Sequence, residues 1–244
     1  MSTMSNEPGT RAAPETARVD HLVVVAASLE EGVAWCERTL GLTPGPGGQH
    51  PLMGTHNRLF RIDSPEFPAA YFEIIAIDPQ AAAPGRRRWF DMDDEALRAR
   101  VARDGPQLAH VVVRVADVAA ATAAWRALGI ERGEVLPASR PTPTGLLSWK
   151  IAVREDGQRL FDGTLPTLIE WGPVHPVAAM ASSGARLAAL TLRHPQAQRL
   201  QQALQAIGLA QVAVEPGDAA LMARLHTPTG EVTLGTHARP TSHG

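Results

Sequence analysis

Apolar runs of strand type and apolar stripes of helical spacing alternate along the chain in a recurring order. Residues 21–27 open with a His and continue as a nearly unbroken apolar run, which predicts a buried strand. Ser28-Leu29-Glu30-Glu31 then reads as a capping box. The Ser side chain would accept an orphan helix N–H, and a Glu follows three residues on. Leu29, Val33, Cys36 and Leu40 recur at helical spacing, and Gly41 supplies the stop. A Gly-rich loop, GPGGQHPLMGTH, precedes strand-type segments at 57–63 and 69–77. The order then returns. HVVVRVA reads as a strand and Asp117 as a cap. Val118, Thr122 and Trp125 share one helix face, and Gly129 is the stop. Strands are expected over 131–136, 146–154 and 166–172. Each copy is therefore β-α-β-β-β.

A third copy is weaker. ARLAALTLRH is a strand and PQAQRLQQALQAIG a helix, with Pro195 near its first turn and Leu200, Leu204 and Ile207 on its apolar face. AQVAVEP, ALMARLHTP and GEVTLGT follow as strands. The pattern divides the chain into a disordered leader (1–17), a first module (18–78), an inserted loop and helix (79–107), a second module (108–177), a third module (184–236) and a flexible tail (237–244). Within the insert, Arg86-Arg87-Arg88 reads as a solvated loop ahead of a Trp89-Phe90 anchor.

Bulk properties narrow the function. A chain of 244 residues buries enough surface to fold without a disulfide or a structural metal. The formal charge of −2 gives no electrostatic case for nucleic acid or for an anionic membrane. Cys36 is the only cysteine, which suits a reducing cytosol. No apolar stretch approaches the ~20 residues of a membrane span, and the first residues lack the apolar core of a signal peptide. The expectation is a cytoplasmic protein whose partner is a small molecule.

The doubled order carries doubled chemistry. His21 lies in VDHLVV and Glu73 in YFEII. His110 lies in LAHVVV and Glu170 in LIEWG. The third copy has Ala188 at the His place and Thr233 or Leu234 at the Glu place, so these residues are not needed merely to fold it. Imidazole and carboxylate together suit a divalent ion such as Zn, Ni, Co, Fe or Mn. Four such ligands leave room on a five- or six-coordinate ion for water or substrate. The structural alternative is local: Asp20 as a hydrogen-bond partner of His21, and each Glu paired with a nearby Arg.

Modules of βαβββ order with His on the first strand and Glu on the last resemble the vicinal oxygen chelate superfamily, and within it the glyoxalase-like domain proteins. DHLVV, GGQHPLMGTHNRL, AYFEIIAIDP, SRPTPTGLLSWKI and LPTLIEWGPVHP carry the resemblance. It implies an α+β fold in which tandem modules curl into a curved open barrel, joined by a third βαβββ-like module. It also implies a divalent metal held by His21, Glu73, His110 and Glu170. Glu73 or Glu170 would act as catalytic base in a lyase or isomerase acting on a small oxygenated metabolite. His50, Thr55, Asn57, Arg140 and Trp149 are the expected substrate-binding residues, with Ser139, Trp171 and His175 near them. Two alternatives stay open: a metal-free small-molecule binding or resistance-type protein, and an Fe(II) extradiol-type dioxygenase. Homodimerisation also stays open.

Overall fold

The computed structural model describes residues 17–143 and 145–236. The expected leader (apart from Ala17) and the expected tail fall outside that range. The first module comprises β1 (Arg18–Val25), α1 (Leu29–Leu40), β2 (Gln49–His50), β3 (Thr55–Arg61) and β4 (Tyr71–Ile77). Ser28 caps α1 by accepting the Glu31 N–H, and Gly41 ends it in the left-handed region at φ 69°. The insert holds α2 (Glu95–Asp104). Next come β5 (Gln107–Arg114), α3 (Val118–Ala127), β6 (Glu134–Thr142), β7 (Gly145–Val153) and β8 (Thr167–Trp171). The last unit is β9 (Arg186–His194), α4 (Ala197–Ala206), β10 (Ala213–Pro216), β11 (Ala220–Thr227) and β12 (Gly230–Gly235).

An eight-stranded mixed sheet runs β2-β3-β4-β1-β5-β8-β7-β6 and curls into a nearly closed barrel. Its two halves repeat one pattern. In each, the opening strand pairs in parallel with the closing one, β1 with β4 and β5 with β8. The halves meet at the antiparallel β1–β5 pair. Strands β2 and β6 are the free edges. Pro137 and Pro141 sit on β6, where an edge strand tolerates a residue with no N–H to donate. The segment SRPT is strand, and β6 runs well past the expected end at residue 136.

Two apolar cores lie on opposite faces of this sheet. The outer face packs Leu22, Val24, Phe72 and Ile74 beneath α1, and Val111, Val113 and Leu168 beneath α3. This core continues into the last unit, where the Trp125 indole N–H donates 2.7 Å to the Ala203 carbonyl of α4. The inner face is filled by the insert. Trp89, Phe90, Met92, Leu97 and Val101 pack on Val23, Val25, Ile75, Val112 and Ile169. The insert thus fills much of the barrel interior.

The last unit forms a separate four-stranded sheet, β10-β9-β11-β12. It has the βαβββ order, but its pairing differs from that of the first two modules. Here β9 takes the strand next after the helix as its parallel partner and lies between β10 and β11. Thr233 and Leu234 lie on β12, which does not pair with β9, whereas Glu73 lies on β4, which pairs directly with β1. Among the described residues no helix is long and apolar enough to cross a membrane.

Candidate active site

Strand alternation and one bulge decide what points into the barrel. On β1, Val19 is opposite Val113 and His21 is opposite Val112, so Asp20 is an extra residue in the ladder. The bulge lets adjacent Asp20 and His21 interact directly. The His21 Nδ1–H donates to Asp20 Oδ1 at 2.6 Å, which leaves Nε2 directed at Glu73 Oε2, 3.6 Å away. Asp20 is fully buried. Its other oxygen accepts from the Trp171 indole N–H at 3.0 Å and from His175 Nε2 at 2.9 Å. Burial alone would raise the Asp20 pKa. The hydrogen bonds from His175 and His21 outweigh it and hold the carboxyl well below the usual range. Tyr71 stacks on the His21 ring at 4.5 Å, and burial pushes its phenol well above the ordinary value, so it stays protonated.

Asn57 links this group to the hairpin before it. Its Oδ1 accepts the Gly48 N–H at 2.8 Å, and its Nδ2 donates to Glu73 Oε1 at 2.6 Å. The same amide faces His50 Nε2 at 3.3 Å, while His50 Nδ1 donates to Thr55 Oγ1 at 3.0 Å. Thr55 is therefore a prop for His50 behind the cavity wall. Gly54, at φ 58°, gives the left-handed turn that joins the two strands of this hairpin. Burial, then repulsion from Arg140, holds the His50 pKa down to about 3.

Arg140 reaches across the barrel seam from the opposite edge strand. A Cβ on Gly48 would lie 1.7 Å from Arg140 Nη1, so the absence of a side chain there admits the guanidinium. Arg140 is half-buried, and no described residue accepts a hydrogen bond from it. It lines a cavity of about 40 Å³ together with His21, His50, Asn57, Glu73 and Trp149.

The four expected metal ligands do not come together. His21 and Glu73 face each other, but Glu170 is on the far side of the sheet. Ile169 and Trp171 line the cavity, so strand alternation turns Glu170 outward. There its Oε2 accepts the Val118 N–H at the start of α3 at 3.0 Å, and its Oε1 pairs with Lys150 of the neighbouring strand at 2.7 Å. The position matching Glu73 is occupied by Thr167. Val23, two residues past His21, is opposite Glu73, and Val112, two past His110, is opposite Thr167. His110 is buried with both nitrogens engaged, by the Gly163 carbonyl at 3.0 Å and Thr167 Oγ1 at 2.9 Å. Burial, then repulsion from Arg132 and Arg159, holds its pKa well below the usual value. Among the described residues no group of three or more His, Cys, Asp or Glu side chains is arranged to hold a metal ion. The residues present fit neither the four-ligand centre nor the two-His, one-Glu triad of an extradiol-type enzyme.

The buried neutral imidazoles make stability depend on pH. Both have folded pKa values below the unfolded value near 6.5, so the unfolded chain takes up protons first as pH falls. Stability is full above about pH 6.5 and declines below it. Between pH 7.5 and 5.0 His50 alone costs about 2 kcal/mol, and His110 adds in the same direction. Urea unfolding at the two pH values measures this, and a flat profile would show that the imidazoles are protonated in the fold.

Residues 19–208 match the family described as glyoxalase-like domain. The chain belongs to this family. The match takes in both barrel modules and continues through β9 and α4. A hypothetical protein from Staphylococcus aureus shares the glyoxalase-like chain's fold, with a TM-score of 0.52 at 13% identity over 90% of this chain and 85% of that one. A methylmalonyl-CoA epimerase from Streptomyces coelicolor aligns at 20% identity and TM-score 0.42 over 66% of this chain and 99% of that one. One from Mycobacterium tuberculosis aligns at 16% and 0.39, over 70% and 97%. No curated protein matches.

The sequence presents Asp20 only as a partner of His21, and His175 either near the substrate-binding residues or in a connecting loop. No residue pattern marks the bulge that makes Asp20 the hub of this cluster. Trp89, expected as an anchor, also lines the cavity.

Proposed function

We propose that this glyoxalase-like protein is an enzyme that moves a proton on the carbon beside a carbonyl or carboxyl group of a small acidic metabolite. One observation carries the reading. The half-buried guanidinium of Arg140 has no acceptor among the described residues, and it shares a cavity with His21 and Glu73. A half-buried guanidinium whose charge is met only at a distance, by the Glu73 carboxylate, keeps its hydrogen-bond donors for an anionic ligand, and Arg suits carboxylate well.

The neighbouring groups supply the rest. Asp20 fixes the Nδ1–H tautomer of His21, so Nε2 presents a lone pair to the cavity. Asn57 occupies one oxygen of Glu73 and leaves the other free. His21 Nε2 or Glu73 Oε2 would take the proton from the substrate carbon, and the electron pair would move onto the carbonyl oxygen. Arg140 would stabilise the resulting enolate oxygen. Returning the proton to the other face, or to the next carbon, completes an epimerisation or isomerisation.

The test is proton exchange in D2O. Short 2-oxo and 2-substituted carboxylic acids are incubated with the protein, and loss of the C–H signal is followed by NMR. Exchange is expected with at least one of them. Arg140→Gln should weaken binding of that acid roughly 10- to 100-fold. Unchanged binding would remove Arg140 from the site.

A further inference from the structure

We infer that the ligand is amphiphilic: a carboxylate head in the inner cavity and an uncharged apolar tail in the groove outside it. This deepens the proposed function and rests on its placement of the head. The inner cavity, about 40 Å³, is small beside the groove outside it and suits a small polar head but no long chain. Anything larger must extend outward. A groove of about 590 Å³ adjoins it, and His50, Trp89, Trp149 and Trp171 line both spaces.

The groove has the character of a tail site. Leu52, in the loop after β2, and Leu146, on β7, both line it. Leu146 is 64% exposed, the most exposed large apolar side chain among the described residues, and Leu52 is 40% exposed. Apolar side chains gathered round a cleft mark a binding surface, whereas scattered ones do not. The Trp149 and Trp171 rings, 5.7 Å apart, add a broad apolar wall. The charged side chains at the groove, Lys150 and Glu170, neutralise each other at 2.7 Å. A tail there meets no unpaired charge from them, so an acyl or aryl group fits and a second anionic group does not.

Calorimetric titration of the whole protein with butanoate, hexanoate and octanoate tests this. Affinity should rise roughly two- to fourfold per added methylene, with a change in Trp emission as the chain lengthens. Leu146→Asp, at an exposed position and so tolerated by the fold, should bring octanoate down toward butanoate while butanoate still binds through Arg140. If butanoate binds in an Arg140-dependent way and chain length has no effect, the tail inference is wrong and the head reading stands. The tail inference is equally wrong if the trend persists undiminished in both Leu146→Asp and Leu52→Asp. If none of the acids binds, the head reading fails and the tail inference falls with it.

Discussion

Asp20→Ala is expected to lower the free energy of unfolding by about 3–5 kcal/mol, because it removes several hydrogen bonds to one buried carboxylate, each worth about 1.5–3 kcal/mol before the loss of the buried charge is offset. Asp20 is fully enclosed and serves three donors at once, His21, His175 and Trp171. Truncation leaves the half-buried Trp171 indole N–H without its acceptor and frees the His21 ring to change tautomer. It also unlatches the segment after β8 from β1, because His175 and Trp171 both bond to the same carboxylate. Asp20→Asn is the informative companion. Its amide oxygen still accepts one or two of these bonds, so it should recover part of the stability while failing to hold the His21 tautomer. Equilibrium unfolding in urea near pH 7.5 measures the first effect, and the nitrogen chemical shifts of His21 measure the second. A loss under about 1 kcal/mol for Asp20→Ala would mean that the cluster is not the structural hub described.

Trp125→Ala is expected to cost a similar amount, about 3–5 kcal/mol. Trp125 is completely buried on α3, and its indole N–H reaches the Ala203 carbonyl on α4. It therefore joins the barrel to the last unit through both packing and a hydrogen bond. Leu200, Ala203 and Leu204 on α4 belong to the same apolar core as Val118 and Trp125 on α3. Because that core is continuous, the variant should still unfold in one transition, shifted to lower urea concentration. Two resolved transitions would show that the last unit is energetically independent of the barrel.

The fold is legible in the sequence wherever a local rule acts alone. Ser28 and Asp117 cap their helices because a short polar side chain before an apolar stripe leaves few other solutions. The buried runs after His21 and His110 form the paired central strands of the barrel. Legibility ends where register or pairing decides. Glu170 lies next to cavity-facing residues in sequence, but a strand turns alternate side chains to opposite faces, so proximity in sequence points to the wrong side. The LIEWG motif stands out by resemblance, and only the parallel β5–β8 register shows Thr167 in the equivalent place. The last unit repeats the βαβββ order, yet its strands pair differently. Its missing His and Glu therefore say less about the first two modules than position counting implies. His50, Asn57, Arg140 and Trp149 stand in recognisable loop and strand motifs, and all line the cavity with His21 and Glu73. The open seam that brings Arg140 from one edge strand to Gly48 beside the other leaves no mark in the residue pattern.

The central claim is that the site is one-sided. On the proposed function the first module would supply the acid–base pair, and the second would supply Arg140 and aromatic walls in place of a second His–Glu pair. A direct comparison of Glu73→Gln with Glu170→Gln tests it, using the rate of deuterium exchange into a bound carboxylic acid. Glu73→Gln should lose about 10²-fold or more of that rate. Glu170→Gln should retain it within about threefold and lose only the modest stability of a helix-end and surface ion-pair contact. Equal and large losses from both, without unfolding, would contradict the account and restore a site in which the two glutamates act together.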